Sequence, residues 1–331
     1  MKKTIFISTI IIVIITLALV ITYGKHQTNR PQTEQQETIE VIRVGYKAHL
    51  AHFLPFLAEQ EGYFNEQGIK IEFVEFKSTN QMIDAVVTGD IDAAAAANYE
   101  AAMAAELRSP GKIKFYFNTQ WKPENYIDYI IVRKESSLQS ISDLKGKKLV
   151  ITPGAAGLSY TKLVLEKFNI SDKDITLVPL EFKFQLQTLA SGKVDAALTF
   201  EPLIAMALSE DTAKVLVGGP FANYLPEMAN AAGAGIISTS FIQEHPETAN
   251  KFVNAIEKAI KLADDNPNKI RGVLPDCCKT TPEVAQTIKH FGVYQTIAET
   301  NKQDVQTFAD FLTENGILEK HMEINNLFYE P

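Results

Sequence analysis

The sequence predicts an α/β protein of two similar lobes, the second inserted into the first. Three observations carry that reading. Strand-like and helix-like segments alternate along most of the chain, one string is written twice, and two long extended stretches interrupt the rhythm. The repeated string is TGDIDAAAAANY at 88–99 and SGKVDAALTFEP at 191–202. Each copy closes a short helix with Gly and then opens the third strand of its own α/β unit.

The elements follow in order. VIRVGY (41–46) reads as a buried strand, and HFLPFLAEQEGYFNEQG as a helix ending at Gly68, which can take a left-handed C′ conformation. IKIEFVEF (69–76) alternates apolar and polar and is a strand. A short helix stopped by Gly89, the strand IDAAAAA, the helix YEAAMAAELRS and the strand KIKFYFNT complete the first unit. Such βαβ alternation implies a mostly parallel sheet with helices on both faces. After the extended run YIDYIIVRKES (126–136) the rhythm restarts: SISDLKGKKLVIT, PGAAGLSYTKLVLEKFN, ITLVPLEF, FQLQTLASG, VDAALTF, EPLIAMALS and AKVLVGG alternate strand and helix. GAGIISTSF (233–241) is extended again, and together with 126–136 reads as a crossing between lobes. Beyond it the chain reads as helical. One helix carries the stripe Ala249, Phe252, Val253, Ile256, Ile260 and Ala263 at period 3.6, and TPEVAQTIKHFGVYQ and KQDVQTFADFLTENGIL follow the same logic. The repeated Asp92 and Asp195 read as strand-start residues bonding nearby backbone N–H groups rather than as a catalytic pair.

The bulk numbers suit this plan. The chain has 331 residues, of which 46% are hydrophobic and 22% charged, enough for two cores. Lys2 and Lys3 precede an apolar run from Thr4 to about Tyr23, so residues 1–24 are either a signal peptide or an N-terminal membrane anchor, and 25–39 a polar linker. Either way the body is extracytoplasmic, in a periplasm or on the outer face of the cytoplasmic membrane. Thr22-Tyr23-Gly24 is a tolerable cleavage site, and no cysteine near it offers a lipid anchor. No long basic run is present, which argues against nucleic acid as a partner. The only cysteines, Cys277 and Cys278, lie too far from other ligands for a metal site and read as two thiols on a surface connection. No G-x-S-x-G, H-E-x-x-H or G-x-G-x-x-G supports hydrolase, metalloprotease or dehydrogenase chemistry.

Three stretches resemble a known family. VGYKAHLAHFLPFLAEQEGYFNEQGIKIE is similar to the opening strand, loop and helix of the substrate-binding proteins of ABC importers in the nitrate, taurine, aliphatic-sulfonate and thiamine-pyrimidine group (SsuA/THI5-like). SSLQSISDLKGKKLVITPGAAG looks like that family's passage into its second lobe, and SGKVDAALTFEP like its G-x-V-D-A…E-P segment. The resemblance implies a periplasmic binding protein type II fold. Lobe one would be 40–130 with 235–331, lobe two 131–234, and a ligand cleft would separate them. It also implies a small-molecule solute, an ABC permease as partner, a monomer, no cofactor and no catalysis. The family's frequent lipoprotein cysteine is absent.

In open α/β sheets ligands bind beyond the carboxyl ends of the strands, so the strand-end loops supply the candidates. In lobe one these are His49, His52 and Phe53 in KAHLAHF, Asn98 and Tyr99 after the alanine strand, and Trp121 in NTQWKP, a wall for an apolar or aromatic ligand. In lobe two Gly154, Ala155, Ala156 and Gly157 lead into a helix whose free N–H groups can cradle an anion, with Ser159 adding a hydroxyl. Phe182, Lys183 and Phe184 end the following strand, and Lys183 suits a sulfonate or carboxylate. Glu201, before Pro202, can address an amine or ring N–H. An anionic solute such as a sulfonate, taurine or nitrate leads, and a pyrimidine or other aromatic ring is the alternative. A pyrimidine synthase on the same fold is the less favoured third reading.

Overall fold

The computed structural model describes residues 40–331, and for Ala155 the backbone only, so the leader and linker readings lie outside the described residues. In chain order the strands are β1 (Glu40–Tyr46), β2 (Ile69–Glu75), β3 (Ala93–Asn98), β4 (Ile113–Gln120), β5 (Asp128–Arg133), β6 (Lys148–Ile151), β7 (Thr176–Pro179), β8 (Ala196–Phe200), β9 (Ala213–Gly218), β10 (Gly233–Ser238) and β11 (Val293–Thr296). They form a six-stranded sheet, β11-β4-β10-β3-β1-β2, and a five-stranded sheet, β7-β6-β8-β5-β9. Within each sheet the early strands pair parallel, as β1 does with β2 and β3, and β6 with β7 and β8.

The two extended stretches account for the crossing. β5 leaves the first half and lies antiparallel between β8 and β9, whereas β10 returns from the second half and lies antiparallel between β3 and β4. Each sheet therefore contains one central strand delivered from the other side. The crossings are tied where they pass: Trp121 N donates to Ala229 O at 3.1 Å, and Asn118 and Gln120 donate to Asn230 O and to Gln295 Oε1 at 2.8–3.3 Å. Asn118 and Gln120 are buried, so these bonds answer polar groups that water does not reach.

The written-twice string does the same structural work in both halves. Gly89 and Gly192 take left-handed conformations (φ 81° and 73°) that end their helices. Asp92 accepts from the backbone N–H of Arg43 at 2.7 Å, and Asp195 from that of Lys148 at 2.8 Å. In each half this pins the third strand to the first. Asp92 adds an ion pair with the Arg43 guanidinium at 2.7 Å. Asp92→Ala is expected to cost about 2 kcal/mol and Asp195→Ala about 1 kcal/mol, because the first loses a partly buried charge-assisted network and the second a single, more exposed bond. Urea unfolding midpoints would read the difference.

The stripe Ala249–Ala263 is buried along the 20-residue helix Pro246–Asp265, as its period predicts. Three segments differ from the sequence reading. The helix expected through Gly68 is two, Phe53–Gln60 and Tyr63–Glu66, because Gly62 turns left-handed between them. The segment after Thr287 is not helix: the helix Pro282–Thr287 stops, Gly292 takes φ 77°, and β11 pairs antiparallel with β4. Cys277 and Cys278 are not on a surface connection. They are free thiols that close the helix Pro267–Cys278 and are buried in the main core.

Candidate functional site

β1 ends at Tyr46, and the next residues carry the densest chemistry at that sheet edge. Lys47 Nζ donates to Thr79 Oγ1 at 2.7 Å, and among the described residues no carboxylate pairs with it. His49 caps the short turn Leu50–His52, its Nδ1 accepting from Ala51 N at 3.1 Å, which leaves Nε2 to carry the proton. His52 is buried and its Nδ1 has no partner among the described residues. Burial lowers the Lys47 ammonium to about 8. Burial and then the Lys47 charge take His49 to about 3 and His52 well below the ordinary imidazole range. At neutral pH the loop thus holds one cation beside two neutral rings.

The opposing surface comes from the second sheet. Phe182 opens the helix Phe182–Ala190 after β7, Phe200 ends β8, and Phe221 lies in the helix Pro220–Tyr224. His49 meets Phe182 and Phe200 at 5.4 Å each, so the two halves touch here. Trp121, on the first crossing, lies 5.5 Å from Phe200 and stacks on Phe221 at 6.3 Å. Tyr160, from the helix Ala155–Glu166, packs on Phe221 at 6.0 Å with its hydroxyl buried and, among the described residues, unpartnered. A lysine-bearing loop therefore faces a wall of five aromatic rings across the line between the sheets.

Three of the expected residues belong to this assembly, and four more lie at the ends of β3 and of the gap after β6. His49, His52 and Trp121 are in it. Gly154 starts the helix Ala155–Glu166 at φ 111°, no side chain caps that end, and half-buried Ala156 and Ser159 follow within its first turns. Asn98 is half-buried at the end of β3, donating to Glu100 Oε2 at 2.9 Å.

Others are placed elsewhere. Phe53 and Tyr99 are core residues of the first half: Phe53 packs on Tyr294, while Tyr99 packs on Phe115 and donates to Asn118 Oδ1 at 3.1 Å. Gly157 answers packing, since a Cβ there would lie 2.3 Å from Thr152 O. Phe182, Lys183 and Phe184 begin a helix instead of ending a strand, because β7 stops at Pro179. Lys183 is exposed and pairs with Glu181 at 3.3 Å. Glu201 lies one residue past Phe200 and faces a separate groove, lined by Tyr126, Tyr129 and His290. Lys47, Tyr160, Phe200 and Phe221 were not among the expected residues. Lys47 had a signal, its place directly after a strand in KAHLAHF.

Three buried carboxyls shape the pH response. Burial raises Glu100, Asp128 and Glu201 to about 7 each. Asp128 accepts from Phe221 N at 2.8 Å, and its Oδ1 has no partner among the described residues. Groups with raised folded values bind more protons folded than unfolded. Their contribution is complete below the ordinary carboxylate range and is lost as pH rises through about 7. His49 and His52 act in the opposite sense, their contribution falling away as pH drops below the ordinary imidazole value. Asp128→Asn is accordingly expected to flatten the loss of thermal stability between about pH 4 and 7, read by melting curves across that window.

Comparison with known proteins bears on the fold. Residues 50–270 match the family described as NMT1/THI5 like. A Bacillus subtilis (strain 168) protein named for aliphatic-sulfonate binding is 21% identical over 296 residues, covering 87% of this chain and 86% of the relative. A Saccharomyces cerevisiae 4-amino-5-hydroxymethyl-2-methylpyrimidine phosphate synthase is 24% identical over 228 residues, 66% of this chain and 65% of the relative. Among solved structures, the alkanesulfonate-binding protein SsuA of Xanthomonas axonopodis pv. citri bound to MOPS superposes with TM-score 0.69 at 20% identity, covering 88% of this chain and 98% of that one. With a family match over more than half its length and two sheets joined by exchanged central strands, this chain belongs to the NMT1/THI5-like family and has the two-lobe, type II fold of the periplasmic binding proteins.

Proposed function

We propose that the chain is a non-catalytic receptor that captures a small organic anion between its lobes, a sulfonate with an apolar or aromatic body, and hands it to an ABC permease outside the cytoplasm. The observation that carries this is Lys47: a half-buried ammonium without a carboxylate partner among the described residues, on the same loop as His49, whose ring meets Phe182 and Phe200. A charge held out of water is costly unless something pairs with it, and an anionic headgroup supplies the pair while the rings receive the body. The relatives named for sulfonate binding support the same class.

A second reading is favoured by the ring content of the wall. A flat heterocycle such as a pyrimidine could stack on the Phe200–Trp121 pair beside His49, and the pyrimidine phosphate synthase among the relatives points the same way. Titration calorimetry with methanesulfonate, benzenesulfonate, nitrate and a neutral aminopyrimidine separates the two. The sulfonate reading requires saturable one-to-one binding of a sulfonate and no turnover; tight binding of the neutral ring with sulfonates inert would replace it. A ligand that binds only the folded chain must also raise the melting temperature.

A further inference from the structure

A second concavity lies away from the aromatic wall, where the helix Leu203–Ser209 of the second half meets the helix Pro282–Thr287 and the segment after it. It has a volume of about 460 Å³. Leu208 and Val215, both unusually exposed for their type, form apolar rims, and Tyr126, Tyr129 and His290 supply rings. Tyr126 packs edge-on to Tyr129 at 5.2 Å and stacks on His290 at 4.9 Å. Its ring lies across Gly218 and Gly219, where a Cβ on Gly219 would come within 2.7 Å of it, so close backbone approach holds the ring in place.

Glu201 is the buried polar group at this groove, only 4% exposed. One carboxylate oxygen accepts from Ala205 N at 3.1 Å, and the other takes no hydrogen bond among the described residues. Burial raises the Glu201 carboxyl, and burial followed by the Glu201 charge raises the Tyr129 phenol on the same lining. Lys289 and His290 are the other titratable groups on the lining, along with Tyr126 and Tyr129. A carboxylate at an apolar groove lined by aromatic rings is the chemistry that recognises an organic cation, by ion pairing and by contact with the rings.

We propose that this groove is a second binding site, distinct from the aromatic wall beside the Lys47 loop, and that it takes a small organic ammonium, with Glu201 as counter-charge and Tyr126 and Tyr129 as walls. The proposal does not depend on what the cleft binds. Lys289 is the internal competitor, since its ammonium is on the same lining.

The test is calorimetric titration of the full chain with tetramethylammonium chloride, with sodium chloride and neutral neopentyl alcohol as controls. Binding should be saturable and one-to-one, absent with both controls, and weakened at least about tenfold in Glu201→Gln, the loss expected for removing one charge-assisted contact. Tyr126→Leu should weaken it as well, and stands in for Glu201→Gln should that variant fail to fold. The Lys47→Met variant should bind the cation as the wild type does, which keeps this test independent of the cleft. Absence of saturable binding, equal binding of the alcohol, or binding that emerges only in Lys289→Ala would each overturn the proposal, the last by making Lys289 the resident partner of Glu201.

Discussion

Replacing Lys47 by Met is expected to lower the affinity for a bound sulfonate by about 10- to 100-fold, the weight of a hydrogen bond to a charged group. The folded chain should lose no stability in doing so. The ammonium is desolvated and bonds only Thr79 Oγ1, and its folded pKa of about 8 lies below the ordinary lysine value, so the charged form is held at a cost that methionine does not carry. Binding lost together with a melting temperature that holds or rises would distinguish a ligand contact from a damaged core. The sign of the pH dependence follows. The protonated amine attracts the anion, so wild-type affinity should fall as pH climbs through about 8 while the variant stays flat over the same range. Calorimetry at three pH values on both sides of that point decides it, and a wild-type profile as flat as the variant's would remove Lys47 from the site.

The second large effect is expected at Gly157. Alanine is the better helix former by up to about 1 kcal/mol, so a surface position would gain. Here a Cβ would lie 2.3 Å from the carbonyl oxygen of Thr152 and 2.4 Å from its hydroxyl. A backbone oxygen cannot swing aside as a side-chain tip can, so the link from β6 to the helix must move, and overpacking of this kind costs about 1–3 kcal/mol. The net expectation is a loss of about 2 kcal/mol with the melting temperature down by several degrees, accompanied by weaker solute binding because the helix start is displaced. Gly154→Ala has open space around it, and its penalty comes from φ 111° alone. Comparing the two variants separates crowding from backbone strain.

The fold was legible because it repeats. TGDIDA and SGKVDA each stop a helix with Gly and fasten a strand with Asp, and both devices are local in sequence. The extended runs 126–136 and 233–241 showed as apolar stretches out of rhythm, and they became β5 and β10. β11 was not legible. Val293–Thr296 is too short to show a period, and its strand conformation depends on β4, far away in the chain. The site was legible as a set of loops but not as a set of side chains. Direction alternates along a strand and rotates by about 100° per helical residue, so a one-residue error moves a group to another face. Phe200 joins the aromatic wall and Glu201 the second groove; His52 packs edge-on to His49 while Phe53 packs on Tyr294 in the core. Lys47 went unremarked beside two histidines, because sequence alone does not show which cation lacks a counter-ion.

The exchanged central strands also set an order of assembly on a chain made from its N-terminus. The sheet of the second lobe has all its strands once residue 218 has been made. The sheet of the first must wait for Gly233–Ser238 and then Val293–Thr296, although β1 was made long before. Until then β3 and β4 present unpaired edges, the kind of surface on which nascent chains aggregate. The younger half is thus positioned to fold first and to serve as the template on which the older half is completed.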